Sequence, residues 1–239
     1  MSTFVLVHGS FHGAWVWEQV VPLVEARGHR AIAIDLPGHG RDDRPLATQT
    51  LASYVDAVRT AAAGPIVLVG HSMGGIVITQ AAEALADRVS ALIYVCAFLP
   101  ANGQSLLDLG ASDSESLLVR NLVIDEDAGL HWIHEDAVTA AFYHDCPPDI
   151  AAAARRRIVR EPLAPVATPV AITPERYGAI PRAYIECTED RALSIAVQRR
   201  MVSASPCARL ASLPSSHTPQ LAMPERLAAH IQTFAKELT

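Results

Sequence analysis

The sequence predicts one α/β domain with a mostly parallel sheet flanked by helices. Short apolar runs alternate with segments of helical periodicity, a pattern that favours buried strands joined by right-handed helical crossovers. The chain has 239 residues, of which 50% are hydrophobic, so it can bury a large core without a second domain. The runs that predict strands are 4–7, 31–34, 66–69, 91–97, 182–187 and 208–213.

Helices are predicted between these strands because apolar residues recur there every three or four positions. Trp17, Val20 and Val24 share one face of the first helix, and Gly28 supplies a C-terminal stop. Pro224 suits the first turn of the last helix, where its missing N–H costs nothing. The predicted helices are 15–28, 51–62, 76–86, 192–202 and 224–238.

Residues 99–175 interrupt this alternation, and we expect them to form an inserted helical cap. No buried strand is evident in the segment, and long insertions in compact domains usually carry function or structure of their own. The chain therefore divides into a first core part, 1–98, the cap, and a second core part, 176–239. Within the cap, helical pieces are predicted at 106–109, 136–142 and 150–159.

Composition and charge limit the partners of the protein. The formal net charge of -6 gives no attraction to nucleic acid or to an anionic membrane. The N-terminus has no basic leader and no apolar run long enough for a signal or a span, so we expect a cytoplasmic protein. A homodimer is compatible with the sequence, which does not determine the oligomeric state. The cysteines lack CxxC spacing and predict buried thiols rather than disulfides or metal ligands: Cys96, Cys146, Cys187 and Cys207.

A glycine-framed serine follows the third predicted strand. The sequence there is Gly70-His71-Ser72-Met73-Gly74. A Gly-x-Ser-x-Gly segment between a strand and a helix forms a sharp turn that holds the serine exposed in a strained conformation. The alternative is a tight turn at the start of an ordinary helix. We predict that Ser72 is a nucleophile, because the partners that such a serine needs are also present.

A serine nucleophile needs a base within hydrogen-bond reach and an acid that orients this base. Reacting groups in open α/β sheets gather at the carboxyl ends of the strands. His217 follows the last predicted strand, whereas His230 lies within the last helix. The end of the 182–187 strand and the loop after it offer three carboxylates, of which Asp190 lies furthest into the loop. We therefore predict a catalytic triad of Ser72, Asp190 and His217.

The transition state of acyl transfer also needs N–H donors for its developing negative oxygen. One donor is expected from Met73, the residue after the nucleophile. The second is expected from the loop after the first strand, where the N–H of Ser10 serves if it points inward. Only the backbone is needed at this position.

Side chains of the loops and the cap are the candidates for substrate contact. An apolar pocket needs aromatic or aliphatic walls, although each of these residues fits the core equally well. The candidates are Phe11, His12, Phe98, Trp132 and Phe142.

Three segments resemble the plant methylesterase and hydroxynitrile lyase group of α/β-hydrolases. They are His8-Gly9 with His12-Gly13-Ala14-Trp15, the Gly70 to Gly75 elbow, and Ile185 to Asp190 with Gln198-Arg199. The resemblance spans nearly the whole chain and is weakest in the cap. It implies an α/β-hydrolase fold with a six-stranded core sheet, a helical cap over the active site and no cofactor. It also implies the triad above, with the Ser10 and Met73 amides as the oxyanion hole.

The chain departs from the lyases of this group at two matched positions. Those lyases carry a threonine where Gly9 stands and a lysine where Thr218 stands. The lysine stabilises the cyanide leaving group, and cyanohydrin cleavage loses this electrostatic help without it. His71, before the nucleophile, also matches the esterases better. The resemblance therefore favours ester hydrolysis.

We expect a serine hydrolase that cleaves a small or medium apolar carboxylic ester, of methyl or aryl type, through an acyl-enzyme. A lactonase, a thioesterase or a hydroxynitrile lyase would use the same triad. A ligand receptor that kept the pocket and lost turnover is an alternative from another class, against which the intact triad argues. Nucleotide binding is disfavoured because no strand is followed by GxGxxG or a P-loop lysine.

Overall fold

Six parallel strands form the central sheet of the protein, in a computed structural model that describes residues 1–61 and 63–239. Their order across the sheet is β2-β1-β3-β4-β8-β9, and neighbouring strands pair in parallel. The strands of the described residues are β1 (Thr3–Val7), β2 (Arg30–Ile34), β3 (Ile66–His71), β4 (Val89–Val95), β5 (Leu122–Asp125), β6 (Leu130–Ile133), β7 (Glu161–Pro162), β8 (Arg182–Cys187) and β9 (Arg209–Leu213).

The sheet separates two hydrophobic layers. Successive strand residues point to opposite faces, so Val5 and Leu68 belong to one layer while Phe4 and Val67 belong to the other. Helices α2, α3 and α9 cover the first face, and α1 and α11 cover the second. The helices are α1 (Val20–Glu25), α2 (Leu51–Ala61), α3 (Gly74–Ala84), α4 (Leu106–Gly110), α5 (Leu117–Arg120), α6 (Val138–Phe142), α7 (Pro148–Arg155), α8 (Leu163–Ala167), α9 (Ile195–Ala204), α10 (Pro219–Ala222) and α11 (Pro224–Leu238).

The predicted core elements are confirmed, with one break and small differences at the ends. The helix predicted at 15–28 is divided into a 3-10 turn, Ala14–Trp17, and α1. Pro22 explains the break, because a proline is tolerated only in the first turn of a helix and α1 begins two residues before it. The helix predicted at 51–62 corresponds to α2, and Ala62 lies outside the described residues.

The segment 99–175 contains strands as well as helices, and the expectation of no buried strand there is wrong, because both residues of β7 are buried. Helices α4 to α8 are joined by a three-stranded antiparallel sheet in the order β5-β6-β7. The turn between β5 and β6 is Glu126-Asp127-Ala128-Gly129, with Gly129 at φ 65. Glycine takes this left-handed conformation at no steric cost, which makes the turn typical of a hairpin. The limits of the cap at 99 and 175 stay a prediction.

The cysteines are free thiols. Cys96 and Cys187 are buried as predicted, whereas Cys146 and Cys207 are only half-buried. Among the described residues, the helices are too short or too polar to cross a membrane.

Candidate active site

Ser72 lies in a tight turn between β3 and α3. Its φ of 53 is in the left-handed region that non-glycine residues rarely adopt. The flanking glycines allow this turn, because a Cβ on Gly70 would lie 2.6 Å from the carbonyl oxygen of Gly74. A Cβ on Gly74 would lie 2.7 Å from the carbonyl oxygen of Val7 in β1. The strand β3 and the helix α3 therefore lie closer together than any residue larger than glycine at positions 70 and 74 would permit. The turn makes the Ser72 side chain project away from the backbone.

His217 and Asp190 form a buried hydrogen-bonded pair. The Nδ1 atom of His217 donates to Oδ2 of Asp190 over 2.7 Å. The other oxygen of Asp190 accepts the N–H groups of Ala192 and Leu193 at 2.8 and 2.9 Å. These contacts fix the carboxylate in the loop after β8. Since Nδ1 is engaged, Nε2 is the nitrogen of His217 that remains for a reacting group.

Two further side chains hold the backbone of His217. His71 Nε2 and Cys96 Sγ both donate to the carbonyl oxygen of His217, at 2.7 and 3.3 Å. Burial keeps the pKa of His71 well below its usual value, so the ring is neutral and carries one N–H. The side-chain nitrogen and sulfur atoms of His71, Cys96 and His217 that could bind a metal lie within 4.8 Å of one another, as a metal site requires. Their convergence on one carbonyl group accounts for this proximity without a metal.

The N–H groups of Ser10 and Met73 meet no acceptor among the residues that the structure describes. Met73 directly follows Ser72, and Ser10 lines the same cavity as Ser72. These two donors are therefore free to bind an oxygen of a reacting group.

Two buried histidines fix the loop that carries Ser10. His8 Nδ1 donates to the carbonyl oxygen of Gly9 over 2.8 Å, and His12 Nδ1 donates to that of Ser10 over 2.7 Å. Their Nε2 atoms accept hydrogen bonds from the Leu36 N–H and the Tyr143 hydroxyl. Burial lowers the pKa of His8 to about 3 and that of His12 to about 4. Both rings are thus neutral near pH 7, with the single proton on Nδ1.

Ser72 and His217 line one cavity of about 220 Å³ between the core and the cap. Its walls are mainly apolar, and the cap supplies most of them. Besides Ser72 and His217, the lining residues are Ser10, Phe11, Phe98, Leu106, Leu107, Gly110, Ala111, Asp113, Leu118, Val119, Leu122, His131, Phe142, Ala192 and Leu193.

Of the residues expected to contact substrate, Phe11, Phe98 and Phe142 line this cavity, whereas His12 and Trp132 do not. His12 is used inside the loop, as described above. Trp132 lies on β6, where alternate residues face opposite sides, and its ring packs 4.2 Å from the guanidinium of Arg160. Its neighbour His131, which the sequence reasoning missed, faces the cavity instead. The hairpin pattern of β5 and β6 is the signal that could have found it.

A parallel sheet with a serine elbow after its third strand, and an acid and a histidine after its last two strands, defines the α/β-hydrolase class of enzymes. The chain belongs to the alpha/beta hydrolase family, whose sequence model matches residues 4–230. The predicted fold class is thereby confirmed.

Known proteins with similar sequences include a pyrethroid hydrolase and plant methylesterases. The chain is 34% identical to a pyrethroid hydrolase of Sphingobium wenxiniae, over 98% of this chain and 88% of that protein. It is 29% identical to methylesterase 2 of Arabidopsis thaliana, over 97% of this chain and 95% of that protein. The crystal structure of a pyrethroid hydrolase from Sphingobium faniae matches with a TM-score of 0.88 and 32% identity, over 98% and 97% of the two chains. The expected group and the expected class, a carboxylic ester hydrolase, are confirmed.

Proposed function

We propose that the protein is a serine carboxylesterase that cleaves a small or medium apolar ester through an acyl-enzyme and without a cofactor. One observation carries this proposal: Ser72, at a strained φ of 53, shares an apolar cavity with a histidine that is hydrogen-bonded to a buried aspartate. This combination supplies a nucleophile, its base and the group that orients the base.

The proposed reaction has two steps. His217 Nε2 takes the proton of Ser72 while Oγ attacks the ester carbonyl carbon, and the negative oxygen binds the N–H groups of Ser10 and Met73. Collapse of this intermediate breaks the bond to the alcohol, which leaves with the proton from His217. A water molecule, deprotonated by the same histidine, then attacks the acyl-enzyme and releases the acid. Asp190 stabilises the protonated form of His217 in both steps.

The cavity favours an ester with apolar groups on both sides. Aromatic and aliphatic side chains form most of its wall, so burial of apolar surface supplies the binding energy. The similarity to a pyrethroid hydrolase and to methylesterase 2 supports pyrethroids and methyl esters as the first substrates to test after the model esters.

Hydroxynitrile cleavage on the same triad is disfavoured. A Cβ on Gly9 would lie 2.7 Å from Cβ of Ser72 and 3.1 Å from Nδ1 of His71, so the threonine of the lyases does not fit here. Thr218 is uncharged and buried, and it offers no cation for a cyanide leaving group. Lactones and thioesters remain substrates that the proposed triad could open.

A series of p-nitrophenyl esters of increasing acyl length tests the proposal. We expect hydrolysis that peaks at a short or medium chain and that a serine-directed phosphonate abolishes. Mandelonitrile, assayed in parallel, should release cyanide at the background rate. Faster cleavage of mandelonitrile than of any ester, or turnover that resists the phosphonate, would contradict the proposal.

Two expectations about the whole protein stay predictions of the sequence, namely a cytoplasmic location and a homodimer as a candidate assembly. Cell fractionation tests the first. Light scattering of the purified protein tests the second.

A further inference from the structure

A fully buried glutamate links the cap to the loop that carries Ser10. Glu161, in β7, has 0% exposure, and its carboxylate accepts hydrogen bonds from three parts of the core. Oε2 accepts the Phe11 N–H at 3.0 Å and His39 Nε2 at 3.1 Å, and Oε1 accepts the Tyr54 hydroxyl at 2.8 Å. A buried carboxylate is tolerated only with such a complete set of donors.

The charge of Glu161 is balanced locally by His39. Both ring nitrogens of His39 face acceptors, since Nδ1 lies 3.3 Å from the carbonyl oxygen of Pro37. Burial would raise the pKa of Glu161, but the charge and hydrogen bond of His39, together with His131 and the Phe11 N–H, outweigh it and lower the pKa to about 2. The charge and hydrogen bond of Glu161 likewise outweigh burial at His39 and raise its pKa. Because both ring nitrogens of His39 face acceptors, the doubly protonated ring satisfies both contacts, and the Phe11 N–H then binds a charged acceptor, which is stronger than a neutral one.

Hydrogen bonds to the two peptide groups on either side of Ser10 determine where its N–H points. In a trans peptide the C=O and N–H bonds point in opposite directions. His8 holds the carbonyl oxygen of the Gly9–Ser10 peptide, and this directs the Ser10 N–H to the other side. The next peptide is held at both ends, by His12 at the Ser10 oxygen and by Glu161 at the Phe11 N–H.

The conformation of Phe11 shows that the loop needs this restraint. Its φ of 67 is in the left-handed region, which is strained for a bulky aromatic residue. A strained residue keeps its conformation only when surrounding contacts hold it, and the Phe11 N–H contact to Glu161 lies at the strained residue itself.

We propose that Glu161 is a positioning residue of the cap, which holds the Phe11 peptide so that the neighbouring Ser10 N–H faces the oxyanion. This inference rests on the proposed serine mechanism. Glu161 does not line the cavity and so contacts no substrate. Its loss should therefore weaken binding of the transition state and leave binding of the ester unchanged.

Graded substitutions of Glu161 test the inference. Glu161→Leu removes every acceptor, and we expect kcat to fall about 100-fold, as for loss of one oxyanion donor, with KM within about threefold. Glu161→Gln keeps an acceptor oxygen without the charge, and we expect kcat to fall about fivefold. Affinity for an alkyl trifluoromethyl ketone, which forms a tetrahedral oxyanion on the serine, should fall by the same factor as kcat/KM in each variant.

Glu135→Gln is the matched control, because Glu135 belongs to the same cap but is exposed and pairs with Arg155. It should behave as the unmodified protein. Wild-type kcat and ketone affinity in folded Glu161→Leu, or a loss confined to KM, would overturn the inference. If Glu161→Leu does not fold, Glu161→Gln decides alone, and unchanged kcat and ketone affinity overturn it. An unmodified protein that neither cleaves esters nor binds the ketone contradicts the serine mechanism instead.

Discussion

The core and the cap contribute to the candidate site in different ways. In the core, β1 and β3 are buried over almost their whole length, and the proposed triad residues lie in turns and loops after β3, β8 and β9. In the cap, the helices have only four to eight residues, and alternate residues of β6 are half-exposed. The core thus positions reacting groups through its topology, whereas the cap supplies an apolar wall.

The difference implies a division of labour. Substitutions in the core should change the rate of the chemical step, and substitutions in the cap wall should change which ester is accepted. Glu161 is the exception, since it belongs to the cap by sequence but contacts the core loop after β1. The following predictions test this division, from the largest expected effect to the smallest.

Replacement of the proposed nucleophile should have the largest effect. We expect Ser72→Ala to lower kcat by at least about 10⁴-fold, because the triad acts as a unit. Ser10→Ala, which keeps the backbone N–H, should keep kcat within about threefold. Hydrolysis rates and circular dichroism spectra of both variants check the prediction. A folded and active Ser72→Ala variant would refute the proposal that Ser72 is the nucleophile.

A methyl group on Gly9 should displace the elbow. Its Cβ would lie 2.7 Å from Cβ of Ser72, which no real contact permits, so one of the two segments must move. We expect Gly9→Ala to lower kcat about 100-fold, as a shift of about 1 Å can. Gly178→Ala, whose nearest contact would be an oxygen at 3.3 Å outside the cavity, is the control for adding a methyl group. Equal activity of the two variants would show that the elbow tolerates the crowding.

A larger residue in the cap wall should change specificity rather than chemistry. Gly110 lines the cavity, and its Cβ would lie 3.9 Å from the ring of Phe98, so a side chain fits there without backbone strain. We expect Gly110→Val to lower kcat/KM for a hexanoyl ester about tenfold relative to an acetyl ester. An equal loss on both esters would break the proposed division between core and cap.

The smallest effect concerns stability against acid. His8, His12 and His71 are neutral when folded because burial lowers their pKa, to about 3 for His8 and about 4 for His12. Between pH 6.5 and 4 only the unfolded chain protonates them, so the free energy of unfolding falls as pH falls. Each contributes about 1.4 kcal/mol between pH 7.5 and 5.5, and His39, whose pKa is raised, opposes them.

Urea unfolding at pH 7.5 and 5.5 measures this fall in the free energy of unfolding. In His12→Asn the difference between the free energies of unfolding at the two pH values should shrink by about 1.4 kcal/mol. His134→Asn, a change at an exposed histidine, is the control variant. A protein more stable at pH 5.5 than at 7.5 would contradict the prediction.

The sequence was informative where one physical signal decides the structure. Buried parallel strands such as β3 appear as continuous apolar runs, and the elbow has a fixed glycine pattern. The strands β5 and β6 were missed because each has only four residues, and because β5 has no fully buried residue while β6 buries only every second one. This error also hid the inward direction of His131 and the outward direction of Trp132.

Glu161 could not be found from the sequence. A lone glutamate between Arg160 and Pro162 is typical of a surface turn, and its burial depends on donors that lie more than 100 residues away in the chain. His12 was expected to contact substrate because it belongs to the loop after the first strand, yet the backbone turn at Phe11 directs its ring into the loop. Only the tertiary arrangement contains this information.

The buried contacts of Glu161 also limit how caps can be exchanged between α/β-hydrolases in engineered chimeras. Caps are attractive units for recombination, because each cap is an insertion between two core strands and shapes the pocket. Here a transplanted cap without an acceptor at this place would leave the Phe11 N–H, the Tyr54 hydroxyl and the charged His39 without their partner in a dry interior. A compatible donor cap must therefore bring its own buried carboxylate, or the recipient core must change at Tyr54 and His39 together with it.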